Sequence, residues 1–508
     1  MLYIDPDVCI DCSACVTACP VSAIVADYDL EVADLPFADI NAAYYEEPSH
    51  QGYSTTPVVA NKRRFELHER GPLRVAVVGS GPAAMYAAEE LLTRRGLEVE
   101  VDVYERLPVP WGLVRFGVAP DHQLTKSVTK LFAKTGSRRG LFFHFNVEIG
   151  THLTHDELLE HHHAVIYATG APRDRRLGVP GELLEGSHSA NEFVAWYNGH
   201  PDFADMSFNF GVERAVVVGT GNVALDVARV LASDIDYLTT TDMADHALEA
   251  LRYSQIREVV VLGRRGPEHA AYTLSELVGL TNYDVATVPD ALSSPDPKTQ
   301  FLKQVAAQPK SEGRRRIVFR FLSSPLELVE HSGRVRAVRV VRNELVDGDT
   351  SPTDDVEEFD CGLVLRSIGN RGIPLSGLPF DQVLGTLPNV AGRVVDSATA
   401  EPLVGVYATG WIKRGPSGVI GTNKQCAQES VESLLADFSN GKLRVPSQGR
   451  PHLDELIGLR QPSSFGYSGW KAIDAYELKA GREGRRPRRK LVDVSTMVDV
   501  ALGTCPTR

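Results

Sequence analysis

The chain has 508 residues, 43% hydrophobic and 23% charged, with mean hydropathy −0.14 and net charge −13. This length implies about two to four domains. The sequence lacks the roughly 20-residue apolar run of a membrane-spanning helix, and its acidic balance argues against nucleic acid as a partner. The N-terminal MLYIDPDVC has neither the basic start nor the apolar stretch of a signal peptide. Clustered free cysteines fit a reducing compartment, so a cytoplasmic location is expected.

The charge is unevenly spread. Residues 1–61 carry ten acidic residues and no Lys or Arg, whereas residues 62–508 carry 56 acids and 53 bases. The step at Lys62 marks an acidic module followed by a nearly neutral body. Inside that module, Cys9, Cys12, Cys15 and Cys19 precede Pro20. The spacing C-x2-C-x2-C-x3-C-P is the iron–sulfur run of bacterial-type ferredoxins, so the four cysteines are candidate metal ligands of a 4Fe-4S cluster. Zinc is the weaker alternative, because structural zinc sites pair two C-x2-C units across a longer gap. In two-cluster ferredoxins the fourth Cys of such a run binds the other cluster, and a second run is absent here. Either Cys19 closes a single cluster or half the module is missing. MLYIDPDVCIDCSACVTACPVSAI resembles the second half of seven-iron ferredoxins. That resemblance implies a native start upstream of Met1 and a second cluster. Cys361, Cys426 and Cys505 are isolated and read as small buried hydrophobes.

Residues 20–73 read as linker. RVAVVG (74–79) then reads as a buried parallel strand. It runs into Gly79-Ser80-Gly81-Pro82-Ala83-Ala84, followed by a helical pattern, which is G-x-G-x-x-A between strand and helix. Such a turn lets a pyrophosphate approach the helix N-terminus. The next strand, VEVDVYE, ends at Glu105, 26 positions after Gly79. A carboxylate there suits an unphosphorylated ribose.

A second copy follows. RAVVVG (214–219) leads into Gly219-Thr220-Gly221-Asn222-Val223-Ala224 and a helix. The next strand, EVVVLG (258–263), ends not in an acid but in Arg264-Arg265. Two guanidiniums at that place favour a ribose 2′-phosphate. The separation of Gly219 and Arg264 is 45 positions, lengthened by a polar, partly helical insertion at about 233–257. Opposite ribose chemistry at the two turns implies FAD at the first and NADP(H) at the second. Flavin converts a hydride pair into single electrons, and the iron–sulfur module offers a one-electron acceptor.

From residue 74 to about 470 the chain resembles the adrenodoxin reductase family of ferredoxin–NADP reductases. The segments that carry this are VDVYERLPVPWGLVRFGVAPDHQ (101–123), GTGNVALDVARVL (219–231), VLGRRGPEHAAYTLSEL (261–277), LRSIGNRGIPLSGLPFD (365–381) and GVYATGWIKRGPSGVIGTNK (405–424). The resemblance implies that Ala83, Glu105, Leu113 and Ile149 line FAD. It implies that Trp411, Gly418, Val419 and Ile420 close over the flavin, with Gly418 also near the nicotinamide nucleotide. Thr220, Gly221, Asn222, Val223, Arg264, Arg265 and Glu276 match NADP contacts. His122 and Asp226 match a polar pair beside flavin and nicotinamide. Hydride passes directly between the cofactors, so the pair is read as organising groups or a proton path. Without the resemblance, His122 would cap a turn, Asp226 would be a surface charge, and Leu113 and Trp411 would be core.

The expected fold is α/β, with two Rossmann-like dinucleotide-binding domains preceded by a small α+β ferredoxin-like module. The expected divisions are 1–60 for the iron–sulfur module, 73–172 and 372–508 for the FAD domain, and 173–371 for the NADP domain. The implied partner is a ferredoxin or another iron–sulfur carrier. The rivals are an electron-input flavoprotein like the glutamate synthase small subunit, which normally shows more cysteine runs, and a non-catalytic flavin-binding sensor. VIYATG (165–170) and GVYATG (405–410) read as buried strands where the domains cross. His161-His162-His163 reads as an exposed helix end and 346–360 as an acidic hairpin loop. The basic stretch 479–490 reads as a solvated tail, or less readily as a steering patch for an acidic ferredoxin.

Overall fold

The computed structural model describes residues 72–504 except 288–291, 293, 310–312 and 347–348, together with residues 4, 9, 15, 16, 24, 25, 30 and 34–46. Among the described residues, no helix is long and apolar enough to cross a membrane.

Alternating Val and Ala in RVAVV build a strand buried on both faces, as parallel central strands are. Leu73–Val78 pairs in parallel with Val99–Glu105 on one side and Ala164–Tyr167 on the other. It is central to a seven-stranded sheet whose order is Asn389–Val390, Arg393–Val395, Pro402–Ala408, Ala164–Tyr167, Leu73–Val78, Val99–Glu105, Leu141–Phe145. The two ATG-terminated strands are thus neighbours, with Val406 opposite Val165. One face is covered by helices Pro82–Leu92, Thr422–Ser439 and Tyr467–Glu483, which bury Met85, Leu91, Val431, Leu434, Trp470 and Ile473 against it.

The chain leaves this sheet after Tyr167 and returns to it at Asn389. Between lies a six-stranded parallel sheet in the order Ser187–Ser189, Leu363–Arg366, Arg214–Val218, Glu258–Leu262, Arg316–Arg320, Asp284–Thr287. Arg173–Asp174 and Asn370–Arg371 pair as a short antiparallel ribbon where the chain passes out and back. Helices cover one face of the second sheet, and a three-stranded antiparallel sheet, Ser323–His331, Arg334–Val346 and Asp349–Asp360, covers the other through Leu328, Val338, Val340 and Phe359.

That last strand corrects the expectation of a loop at 346–360. Its carboxylates are held by arginines on neighbouring strands: Arg336 bonds Asp360 at 3.0 Å, Arg339 bonds Glu358 at 3.1 Å, and Arg320 bonds Glu357 at 3.0 Å. Cross-strand pairing gives an acidic segment a β-conformation that its own composition disfavours. The insertion at 233–257 forms two short helices, Ile235–Leu238 and Asp245–Arg252, which bury Leu238, Leu248 and Leu251.

Candidate functional site

The first turn is built tightly. Gly79 has φ +104°, and a Cβ there would lie 2.6 Å from the carbonyl oxygen of Ala168, so only glycine fits. The helix Pro82–Leu92 has no side-chain cap at Gly81, leaving its first N–H groups open to an anion. Glu105 stiffens the turn: it accepts from Ser80 N at 3.1 Å, Ser80 Oγ at 2.6 Å and Leu107 N at 3.0 Å. Burial nonetheless pushes its carboxyl up. Ala83, at the helix start, faces Gly410, where a Cβ would come within 2.6 Å of its methyl.

Leu113 is 47% exposed, not core. It sits on a turn entered by Trp111, whose φ is +83° and whose N–H bonds Ser80 O at 3.2 Å. Thr169 Oγ, beside Gly79, is buried with no hydrogen-bond partner among the described residues. Ile149 is half-buried beyond the strand Leu141–Phe145. Trp411 is half-buried, and its Nε1 donates to Ser417 O at 3.1 Å. Gly418 is exposed, and a Cβ there would strike Thr422 Oγ1 at 2.6 Å, the same oxygen that accepts from Val419 N at 3.1 Å. Asn423 Nδ2 donates to Ile420 O at 3.1 Å, so the 418–420 backbone is pinned from the helix below.

The second turn repeats the design. Gly219 has φ +126°, and its Cβ would lie 2.1 Å from Ser367 O. The helix Asn222–Ala232 is also uncapped by a side chain, and a Cβ on Gly221 would meet nothing within 4 Å. Asn222 Oδ1 accepts from Thr273 N at 2.9 Å and Thr220 O accepts from Tyr272 N at 2.9 Å. These bonds tie the turn to the segment carrying Glu276; Thr220 and Val223 are half-buried beside it. Arg264 is exposed and Arg265 half-buried at the end of the strand Glu258–Leu262. Among the described residues, neither has a carboxylate partner.

Between the turns lies a polar cluster. Asp226 is buried, not a surface charge, and burial pushes its carboxyl up. His122 Nδ1 is 4.0 Å from Asp226 Oδ1, and His122 Nε2 is 3.9 Å from Glu276 Oε2. His122 precedes the short helix Gln123–Lys126 without capping it by its side chain. Arg229 joins the group: its Nη2 donates to His122 Nε2 at 2.8 Å and to Asp226 Oδ1 at 2.8 Å, and its guanidinium pairs with Asp121. With Nε2 accepting from Arg229, Nδ1 is the ring nitrogen left to donate toward Asp226. The ligating atoms of His122, Asp226 and Glu276 lie within 4.8 Å of one another, a spacing that would admit a metal ion. Arg229 already supplies the cation there. Arg229 carries no motif; its only signal is the three-residue spacing from Asp226 on one helix face.

Of the cysteine run, Cys9 is exposed and Cys15 half-buried, while Cys12 and Cys19 lie outside the described residues. Asn41 on the helix Leu35–Glu46 accepts from Ile4 N at 2.7 Å, which ties this helix to Ile4, five residues before Cys9. Cys361 and Cys426 are buried, and burial pushes the Cys361 thiol up to about 12.

Two segments depart from the sequence reading. His161 and His162 are buried, not an exposed helix end. His161 Nε2 meets His452 Nδ1 at 2.9 Å, and His162 Nε2 meets Asp102 Oδ2 at 3.2 Å beside Arg450. The stretch 479–490 is not a solvated tail throughout: Arg488 and Lys490 reach inward to Glu477 and Asn198.

Uncapped helix starts behind two glycine turns, one with a carboxylate and one with two guanidiniums, define a pyridine-nucleotide oxidoreductase that holds two dinucleotides. The family model for pyridine nucleotide-disulphide oxidoreductases matches residues 73–260, and that for 4Fe-4S binding domains matches residues 2–25. The "Probable ferredoxin/ferredoxin–NADP reductase" of Mycobacterium tuberculosis is 49% identical over 99% of this chain and 88% of its own length. The mitochondrial NADPH:adrenodoxin oxidoreductase of Arabidopsis thaliana is 40% identical over 85% of this chain and 95% of its own. The solved structure of Mycobacterium tuberculosis FprA in complex with NADPH superposes with a TM-score of 0.81 at 43% identity, covering 85% of this chain and all of that one. The chain belongs to the ferredoxin–NADP reductase family.

Proposed function

We propose that this chain carries out the reaction NADPH + 2 oxidised ferredoxin → NADP⁺ + H⁺ + 2 reduced ferredoxin, the reverse being accessible, with its own N-terminal iron–sulfur module as one acceptor. The divisions that fit this reading are 1–60 for the module, 73–172 with 372–508 for FAD, and 173–371 for NADP. When bound, FAD supplies the step that takes a hydride and gives back single electrons.

The protein's part is to bind, orient and shield. Gly79, Gly81 and Ala83 form the pyrophosphate turn for FAD, and Glu105 fixes that turn and accepts ribose hydroxyls. Leu113, Ile149, Trp411 and the 418–420 backbone cover the flavin. Thr220, Gly221, Asn222 and Val223 receive the NADP pyrophosphate, and Arg264 and Arg265 hold its 2′-phosphate. His122, Asp226 and Glu276, with Arg229 among them, hold a fixed proton pattern at the junction of the two sites. Cys9, Cys12, Cys15 and Cys19 hold the 4Fe-4S cluster. A cytoplasmic setting suits reduced thiols and NADPH.

The observation that carries the reading is the contrast between the two turns: Glu105 satisfied by hydrogen bonds at one, Arg264 and Arg265 without a carboxylate partner among the described residues at the other. NADPH-dependent reduction of added ferredoxin and of cytochrome c tests it. The intact chain should reduce cytochrome c without added ferredoxin. The Cys9→Ser/Cys15→Ser variant should need ferredoxin to do so. A chain that binds FAD but passes electrons from NADPH to neither acceptor would be a sensor, not a reductase.

A further inference from the structure

The second dinucleotide domain is joined to the first by the ribbon at 173–174 and 370–371, and by a contact that neither cofactor site explains. After the helix Tyr467–Glu483 the chain turns and runs to Asp493, where the last helix, Val494–Leu502, begins. Its first anchor lies on the flavin side. Glu477, fully buried, accepts from Arg115 at 2.6 and 3.0 Å, from Arg488 at 2.7 Å and from Leu491 N at 2.8 Å. Arg115 stands two residues after Leu113, on the turn that faces the flavin site.

Its second anchor lies on the insertion of the NADP side. Arg486 donates to Thr241 O at 2.9 Å and to Asp245 at 2.6 Å, and Arg489 pairs with the same carboxylate. Lys490 is buried. Its Nζ reaches Asn198 Oδ1 at 2.9 Å, Arg115 O at 3.3 Å and Asp242 Oδ2 at 3.4 Å. Lys126, four residues after His122, bonds the other Asp242 oxygen at 2.6 Å, and Asn198 Nδ2 donates to Val118 O at 3.1 Å. Groups from the flavin-side loop, the insertion and the C-terminal segment thus share one buried carboxylate. Burial alone would raise the Asp242 carboxyl, but Lys126 and Lys490 outweigh it and hold it at about 2.

Buried charges are costly unless well paired, so such a network holds one geometry and penalises others. Hydride transfer is steep in geometry: about 1 Å of misplacement can cost about 100-fold in rate. We propose that residues 484–493 form a strap that fixes the NADP domain against the flavin domain for hydride transfer, with Lys490 and Asp242 as positioning residues and the insertion at 233–257 as its landing place. The inference rests on the function proposed above.

The test uses the full FAD-loaded chain in anaerobic stopped flow. In Lys490→Met, flavin reduction at saturating NADPH should slow about tenfold or more, with a primary isotope effect when the transferred hydrogen of NADPH is deuterium. FAD content, reduction by dithionite and reoxidation by ferricyanide, none of which needs the NADP domain in place, should stay within about twofold. A merely structural role would move these controls too. If Lys490→Met does not accumulate with FAD, Asp245→Asn decides instead, since it strands no fully buried charge. Slowing of NADPH-driven reduction by about twofold or more supports the strap, and a smaller change overturns it. Failure of the wild-type chain to be reduced by NADPH would instead sink the proposed function, so the two failures are distinguishable.

Discussion

Arg264 and Arg265 follow the strand Glu258–Leu262 and have no carboxylate partner among the described residues. A bidentate guanidinium–phosphate contact is worth about 1.5–3 kcal/mol, which is roughly ten- to 150-fold in selectivity. Arg264→Ala/Arg265→Ala should therefore raise the KM for NADPH by at least about tenfold while leaving that for NADH nearly unchanged. Steady-state kinetics with both nucleotides check this, and an unchanged NADPH/NADH ratio would place the 2′-phosphate elsewhere. The arginine pair, the two glycine turns and Glu105 are legible in sequence because each sits at a fixed offset from a strand end. Arg229 is not legible: its role depends on Asp121 and His122, about 107 positions away. The histidine triplet misleads for the same reason, since Asp102, Arg450 and His452 come from distant parts of the chain.

At the scale of elements, local signals hold where the backbone alone decides. The helix His155–His161 opens with a capping box between Thr154 and Glu157. Glu157 also receives Arg460 at 2.6 and 2.7 Å. Arg460 and then the Thr154 bonds, against a smaller opposing effect of burial, hold its carboxyl at about 2, against an ordinary 4.5. Because the folded value is depressed, the stability it adds is present above pH 4.5 and is lost as pH falls toward 2. Glu157→Gln should lower Tm at pH 7 by about 2 °C, and the difference should close by about pH 2. Thermal unfolding of both proteins across that range measures it, and a gap that persists at low pH would contradict the assignment. The strand Asp349–Asp360 was hidden in sequence because its partners, Arg320, Arg336 and Arg339, lie on other strands. The insertion at 233–257 looks like filler in sequence, yet it supplies Asp242 and Asp245 to the C-terminal segment.

At the scale of the whole molecule, a mixed seven-stranded sheet is interrupted by a parallel six-stranded one, and the cofactor turns open from strand ends at Gly79 and Gly219. That arrangement was readable as two G-x-G turns about 140 residues apart. The contacts between elements of the two sheets were not, because they join residues far apart in the chain, as Asp245 and Arg486 do. In the proposed reaction electrons enter in pairs at the second turn, pass to a flavin at the first and leave singly toward iron. Anaerobic titration with NADPH, followed by visible absorbance and by EPR, tests it most directly. Flavin and cluster together take three electrons, so full bleaching of the flavin, with an EPR signal from the reduced cluster of the N-terminal module, is expected at about one and a half NADPH per chain. Yellow protein that keeps its colour under excess NADPH would contradict it.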